Sequence, residues 1–346
     1  MSAVGAVVTP PRLEAHEPPE ARGLARDDVR LLVAHRHDGR VAHARFKDLP
    51  AFLAPGDLVV VNTSATLPAA LPAQRAGGRH LELRLSTPAP HRVADRWWIV
   101  ELRDGDRPFL GGREGDELEL PIGGRATLVA PYAGAKRRLW LARLDLPTPF
   151  DGYLTEHGHP IRYAYVPREW PLEAYQNAFA LHPGSAEMPS AGRPLTAELL
   201  TRLVAEGIRV APVTLHTGVS SPERAEPPYP ERFRVPEPTA RLVNAVRGWG
   251  GRVIAVGTTV VRALETVAAP GGAVVAGEGW TNLVVTAERG AFAVDGLITG
   301  WHEPEASHLQ LLRAFADEEL LDRCYAEAVA HGYLWHEFGD SHLILP

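Results

Sequence analysis

The sequence predicts a layered α/β core with a mostly parallel sheet, interrupted by a small inserted all-β barrel. Three observations carry that reading. Short apolar runs bounded by turn residues alternate with amphipathic helical stretches in the second half of the chain. An eighty-residue stretch between them changes to period-two alternation broken by Gly, Pro and Asp. The chain has 346 residues, 45% hydrophobic and 23% charged, enough for two units with cores of their own.

The elements follow in order. Met1 to Arg26 is rich in Pro, Ala, Glu and Arg, without the basic start and continuous apolar stretch of a secretion signal, so it reads as the loosely ordered start of a cytoplasmic protein. Asp57-Leu-Val-Val-Val-Asn62, entered through Pro55-Gly56, reads as a buried strand. Residues 66–146 then carry Leu81–Leu85, Trp97–Leu102, Glu117–Leu120 and Leu139–Leu144, the alternation of a small sheet or barrel. Residues 1–65 and 147–346 are expected to form the α/β core with the active site, and 66–146 the inserted barrel.

In the core, Thr196 is placed to cap a helix with Glu198 in its first turn and Leu199, Leu200, Leu203 and Val204 on one face; Gly207 stops it. A strand runs from Ile208 to Leu215 and ends at His216. Pro238 opens a helix with Leu242, Val243 and Val246 that Gly248 ends. Arg252 to Gly257 is a further strand, feeding a helix over Val260 to Val267. Val294 to Thr299 and Leu343 to Leu345 complete the strands.

Composition excludes several classes. No run of eighteen apolar residues exists, so no membrane helix is expected. Cys324 is the single cysteine, in a helical pattern; it excludes an internal disulfide and reads as a buried structural thiol. A net charge of −6 argues against nucleic-acid binding by bulk electrostatics, although residues 66–146 hold 13 Lys+Arg against 10 Asp+Glu, a local +3. His302, His308, His336 and His342 with Glu303, Glu305 and Asp340 could donate to a metal, but no HExxH or CxxC and no histidine pair at i, i+4 among them supports one. G-x-S-x-G, G-x-G-x-x-G and a Walker lysine are also missing from the sequence.

What remains is a set of polar strand ends. Gly257-Thr258-Thr259 joins a buried strand to a helix, where open α/β sheets bind ligands and free helix N–H groups attract anions. Arg262 and Glu265 lie three apart on that helix, and their spacing alone suggests an intrahelical ion pair. Thr214–Gly218 with His216, Gly277–Thr281 with Gly279, Trp280 and Thr281, and Asp295–His302 with Thr299 and Trp301 end in similar corners. Phe338-Gly-Asp-Ser-His342 precedes the last strand.

Taken together, GDLVVVNTSATLPAAL, PSAGRPLTAELL, VTLHTG, RVIAVGTTVVRALE, GEGWTNL, VDGLITGWHEPEASHLQLLRAFA and FGDSHLIL resemble the S-adenosylmethionine:tRNA ribosyltransferase-isomerases of queuosine biosynthesis, collinearly over nearly the whole chain. The resemblance implies an α/β core with an inserted β-barrel. It also implies a reaction: the ribosyl unit of S-adenosylmethionine moves to a 7-aminomethyl-7-deazaguanine at a tRNA wobble position, releasing adenine and methionine and forming epoxyqueuosine. It implies no metal or cofactor beyond S-adenosylmethionine as substrate, and a monomer. The base that removes a proton beside the sulfonium is expected in His216 or His302. Adenine departure would be assisted by Asp340, Asp295 or a histidine. The sulfonium would rest on Trp280 or Trp301, and the methionine carboxylate on Thr258-Thr259 with Arg262 nearby.

The chain departs from that pattern where cations are usual. Asn62-Thr-Ser-Ala-Thr-Leu-Pro-Ala-Ala-Leu71 stands where the family reads N-D-T-R-V-x-P-A-R-L, and Ser190-Ala-Gly-Arg-Pro-Leu-Thr196 where it reads T-A-G-L-H-F-T. Thr217-Gly-Val-Ser-Ser-Pro222 and Glu305 depart similarly. Loss of cations weakens the case for a polyanionic acceptor. The alternatives are a diverged paralogue acting on a small-molecule deazapurine, a non-catalytic protein that binds S-adenosylmethionine or RNA, and a lyase or hydrolase of S-adenosylmethionine.

Overall fold

The computed structural model describes residues 11–90, 92, 96–132, 138–220, 229–301 and 308–346. Its strands, in chain order, are β1 (Arg30–His35), β2 (Val41–Arg45), β3 (Leu58–Asn62), β4 (Ser64–Thr66), β5 (Ala70–Arg75), β6 (Arg79–Pro88), β7 (Trp97–Asp104), β8 (Arg107–Pro108), β9 (Glu117–Glu119), β10 (Arg125–Pro131), β11 (Leu139–Asp145), β12 (His182–Ser185), β13 (Arg209–Leu215), β14 (Glu231–Val235), β15 (Val253–Val256), β16 (Gly277–Thr281), β17 (Gly296–Gly300) and β18 (Ser341–Leu345). The helices are α1 (Phe150–His157), α2 (Ala197–Ala205), α3 (Glu237–Gly248), α4 (Thr258–Thr266), α5 (His308–Leu312) and α6 (Glu318–Ala330).

Among the described residues the core sheet has nine strands in the order β16-β14-β13-β3-β15-β17-β18-β1-β2. Its centre, β13-β3-β15-β17, is parallel, with Leu58 beside both Arg209 and Val253 and Ile254 beside Gly296. β18 runs antiparallel to β17 and parallel to β1, and the outer strands turn antiparallel. All five residues of β3 and all four of β15 are buried, as expected of central strands covered on both faces. One face carries α3, α4 and α6 through Val243, Val246, Val260, Leu264, Leu321 and Tyr325. The other packs Leu199 and Leu203 of α2 against Val59, Val61 and Ile254.

The Thr196 cap is present, its side chain accepting the Leu199 N–H at 3.1 Å, and Gly207 ends the segment at φ +81°. Val204, expected on the apolar face, is instead 61% exposed. It follows Leu203 by 100° around the helix axis and falls beyond the buried stripe. Cys324 is buried in α6, and burial pushes its thiol up to about 12, so it packs as an inert group.

Residues 70–145 hold the second sheet, β11-β10-β9-β5-β6-β7-β8, and the β11–β7 pairing closes six of its strands into a barrel. Alternate residues point inward: Leu83, Leu85, Val100, Leu102, Leu128, Trp140, Ala142 and Leu144 are all buried. Closure removes free strand edges, which a seven-strand open sheet would expose.

The loosely ordered start is corrected over its described part. Leu13 and Ala15 are buried, and Trp335 ties them down by accepting the Ala15 N–H at 3.2 Å and donating to Leu13 O at 2.7 Å.

Candidate active site

The parallel strands end on one edge of the sheet, and loops leaving that edge gather most of the polar side chains. His216 directly follows β13, its N–H donating to Arg232 O at 2.9 Å. Its Nδ1 lies 2.8 Å from Ser64 Oγ, which lies 2.6 Å from Ser185 Oγ. Gly184 makes this possible: it holds φ +153°, and a Cβ there would sit 2.5 Å from His216 Nδ1. Burial lowers the imidazole to about 4, with Arg232 and His182 adding to the effect, because the charged ring loses its water. His216 is therefore neutral at neutral pH.

Asn62, the last residue of β3, pins this corner. Its Oδ1 accepts Leu215 N–H at 2.9 Å, and its Nδ2 donates to Leu215 O at 2.9 Å and to Thr259 Oγ1 at 3.2 Å. Gly257 turns β15 into α4 at φ +92°, donating to Ile298 O at 2.8 Å. Thr258 and Thr259 form the first turn of α4, so their N–H groups precede the helical hydrogen-bond ladder and are suited to an anion.

The other half of the site stands where β18 begins. Asp340 is buried, accepting the N–H groups of Arg30 at 2.7 Å and Leu334 at 2.8 Å, with Arg30 Nε 3.4 Å away. Burial raises its carboxyl, opposed by those two backbone bonds and Arg30. A shallow depression opens here, lined by Ser190, Arg193, Gly300, His336, Glu337 and Asp340 among others, with His216, Thr258 and Thr259 outside its lining. Glu337 accepts the Tyr165 hydroxyl at 2.6 Å, and burial raises it to about 7. His336 stacks on Tyr165 with centroids 3.8 Å apart, holds φ +72°, and is lowered by burial to about 4. Beside this, the Tyr163 hydroxyl donates to Glu187, whose carboxylate also accepts Ser220 N–H at 2.8 Å; burial raises Glu187 as well. Tyr163 and Tyr165 stack at 5.8 Å, linking the two carboxyl-bearing corners.

Of the residues singled out in the sequence, His216, Thr258, Thr259, Thr299 and Asp340 therefore lie at this edge, Thr299 buried one position before the end of β17. Five others form a structural annex. Arg262 donates to Glu231, to Leu283 O at 3.1 Å and to Thr281 O at 3.2 Å. Glu265 pairs with Arg289 at 2.8 Å and accepts Phe292 and Ala293 N–H groups. The expected Arg262–Glu265 ion pair is thus replaced by two longer-range ones, because tertiary partners are closer than the helical neighbour. Gly279, Trp280 and Thr281 belong to β16, the outer strand beyond β14; Thr281 Oγ1 lies 2.6 Å from Thr266 Oγ1.

Asp295 sits at the opposite sheet edge, before β17, accepting Val253 N–H at 2.8 Å and pairing with Arg247 at 3.1 Å. Trp301 is 1% exposed inside an aromatic cluster, stacked on His342 at 4.8 Å, so it offers no open face to a sulfonium. His302 lies outside the described residues. Sequence reasoning did not single out Asn62, Ser64, Ser185, Glu187 or Glu337. For Asn62 and Ser64 a signal existed, polar residues immediately after a fully apolar strand. For the two glutamates no local pattern distinguishes a buried acid from an exposed one.

Comparisons with known proteins find relatives over nearly the whole chain. A family model described as "Queuosine biosynthesis protein" matches residues 8–344. The S-adenosylmethionine:tRNA ribosyltransferase-isomerase of Symbiobacterium thermophilum is 38% identical, and that of Geobacter sulfurreducens 35%, each over 97% of both chains. The crystal structure of an S-adenosylmethionine tRNA ribosyltransferase from Thermotoga maritima superposes with a TM-score of 0.54 at 29% identity, covering 98% of this chain and 99% of that one. This chain belongs to the S-adenosylmethionine:tRNA ribosyltransferase-isomerase family of queuosine biosynthesis.

Proposed function

We propose that this chain is a transferase and isomerase that takes S-adenosylmethionine as ribosyl donor and a 7-aminomethyl-7-deazaguanine as acceptor, forming the epoxide-bearing cyclopentenediol group of epoxyqueuosine. Family membership over nearly the whole chain supports this. The observation that carries it is the gathering of a neutral histidine, a helix start and two acids of raised pKa at one sheet edge.

His216, with Nδ1 engaged by Ser64, offers Nε2 as the base for the methylene that the sulfonium acidifies. His302 is the second candidate. The amides of Thr258 and Thr259 receive the methionine carboxylate, and Arg262 acts at one remove by fixing α4 against β14. Glu337, raised by burial to about 7, or Asp340, whose carboxyl burial also raises, supplies the proton or hydrogen bond that adenine needs to leave. No metal or further cofactor enters this scheme, and the reading places the protein in the cytoplasm as a monomer.

A tRNA acceptor and a small deazapurine both suit the donor site. The resemblance favours tRNA; the small acceptor is the alternative, raised by Ala65 and Ala70, buried where the family pattern has arginines, and by Pro194 where it has histidine, although Arg26 and Arg193 still line the depression. Purified protein is incubated with S-adenosylmethionine alone, with wobble-modified tRNA, and with free 7-aminomethyl-7-deazaguanine, and adenine and methionine are measured. Acceptor-dependent release supports transfer and names the acceptor. Release without acceptor points to a lyase or hydrolase. Binding without release shows a non-catalytic protein and overturns the proposal.

A further inference from the structure

Away from the strand ends, the tail of α6 and the edge strand β2 bring three metal-ligating side chains together. Glu327 and His331 stand four residues apart, with His331 Nδ1 3.2 Å from Glu327 Oε2. His43 comes from β2, its Nε2 3.4 Å from the same oxygen. One ligand atom from each of the three lies within 4.8 Å of the others. Zinc bonds nitrogen and oxygen at about 2.0–2.1 Å, which sets neighbouring ligands of a tetrahedron about 3.3–3.4 Å apart. Two edges of such a tetrahedron therefore stand near their working length.

The surroundings fix these groups further. His43 Nδ1 lies 2.9 Å from the Tyr333 hydroxyl, and donation from Nδ1–H leaves the Nε2 lone pair aimed at the cluster. Arg30 Nη2 donates to Gly332 O at 2.6 Å and holds the chain just after α6. Its guanidinium is a nearby positive charge, offset by Asp340 at 3.4 Å.

We propose that His43, Glu327 and His331 bind one divalent ion of the zinc, nickel or copper type, with water completing its coordination, and that the ion clasps α6 to the sheet edge. Two imidazoles and a single carboxylate select these ions over magnesium or calcium, which prefer all-oxygen sets. The side chains are 36%, 38% and 53% exposed for His43, Glu327 and His331, so an ion reaches them from solvent. His331 Nδ1 also lies 2.9 Å from Glu327 O, a contact that the ion displaces. The proposed ribosyl transfer does not use this site.

The test uses untagged full-length protein, stripped with chelator, dialysed, and titrated calorimetrically with zinc, nickel or magnesium chloride. One saturable site for zinc and nickel is expected, together with an unfolding midpoint that climbs with the logarithm of zinc concentration. His43→Ala and Glu327→Gln should each weaken zinc binding by about tenfold or more, and His43→Ala with His331→Ala should abolish it. Circular dichroism checks that these surface variants remain folded. Absent saturable heat with zinc and nickel, magnesium binding as tight as zinc, or a double variant that binds like the parent overturns the proposal.

Discussion

His216 owes its neutrality to burial and its orientation to Ser64, so the two can be perturbed separately. His216→Ala removes the proposed base, and adenine release should fall by about a hundredfold or more, the usual contribution of a positioned proton acceptor. Gly184→Ala leaves the imidazole in place chemically but drives a methyl to within 2.5 Å of Nδ1. It should cost a comparable factor in turnover through misplacement alone, while equilibrium dialysis still shows S-adenosylmethionine bound. Glu337 gives a pH signature. Its carboxyl is protonated below about 7 and ionised above, so if it assists adenine departure, activity falls as pH rises through that value. Glu337→Gln keeps the contact with Tyr165 and should flatten that alkaline limb; an unchanged profile assigns the role to Asp340.

At the scale of elements, Thr196→Ala deletes the cap of α2 and should lower stability by about 1 kcal/mol, read as a shifted urea midpoint, with turnover at saturating substrate preserved. Trp140→Ala opens the barrel core and should cost about 3–5 kcal/mol, the range for a buried aromatic. The two cases also show what the chain's local chemistry reveals. α2 was legible because cap, apolar stripe and stop glycine agree, and the barrel strands were legible because alternation of period two persists over eighty residues. The hairpin of β1 and β2 was not, since Arg30–His35 and Val41–Arg45 make sense only beside β18, three hundred residues away. The site divides similarly. Strand-end residues such as His216, Thr258 and Asp340 could be placed from the elements that deliver them. Trp301 and Asp295 could not, because one turns inward to an aromatic core and the other precedes its strand instead of following it.

At the scale of the whole molecule, burial among the described residues lowers His216 and His336 to about 4 and His342 to about 3, keeping them neutral. Each folded value lies below the ordinary 6.5, so the unfolded chain binds more protons at mildly acidic pH. The stability this neutrality contributes is complete above 6.5 and is lost as pH falls through about 4 and then about 3. Glu337 acts oppositely, its contribution being full below 4.5 and lost as pH rises through about 7. Urea midpoints measured from pH 7 to 4 should therefore fall steeply on the acid side. His342→Phe, which retains a flat ring against Trp301, should soften the fall, since His342 is fully buried and neither ring nitrogen has a hydrogen-bond partner among the described residues.

The seventh place in the core sheet belongs to β18, between β17 and β1. During synthesis the amino-terminal hairpin therefore emerges long before its docking partner exists, and it must wait until residue 345 has left the ribosome. Until then, β17 and β1 both present open hydrogen-bonding rims, a standing invitation to mispairing between nascent chains. Shortening the chain by six residues would thus detach the hairpin along with the missing strand, and amide exchange of Leu31–Ala34 would register the loss.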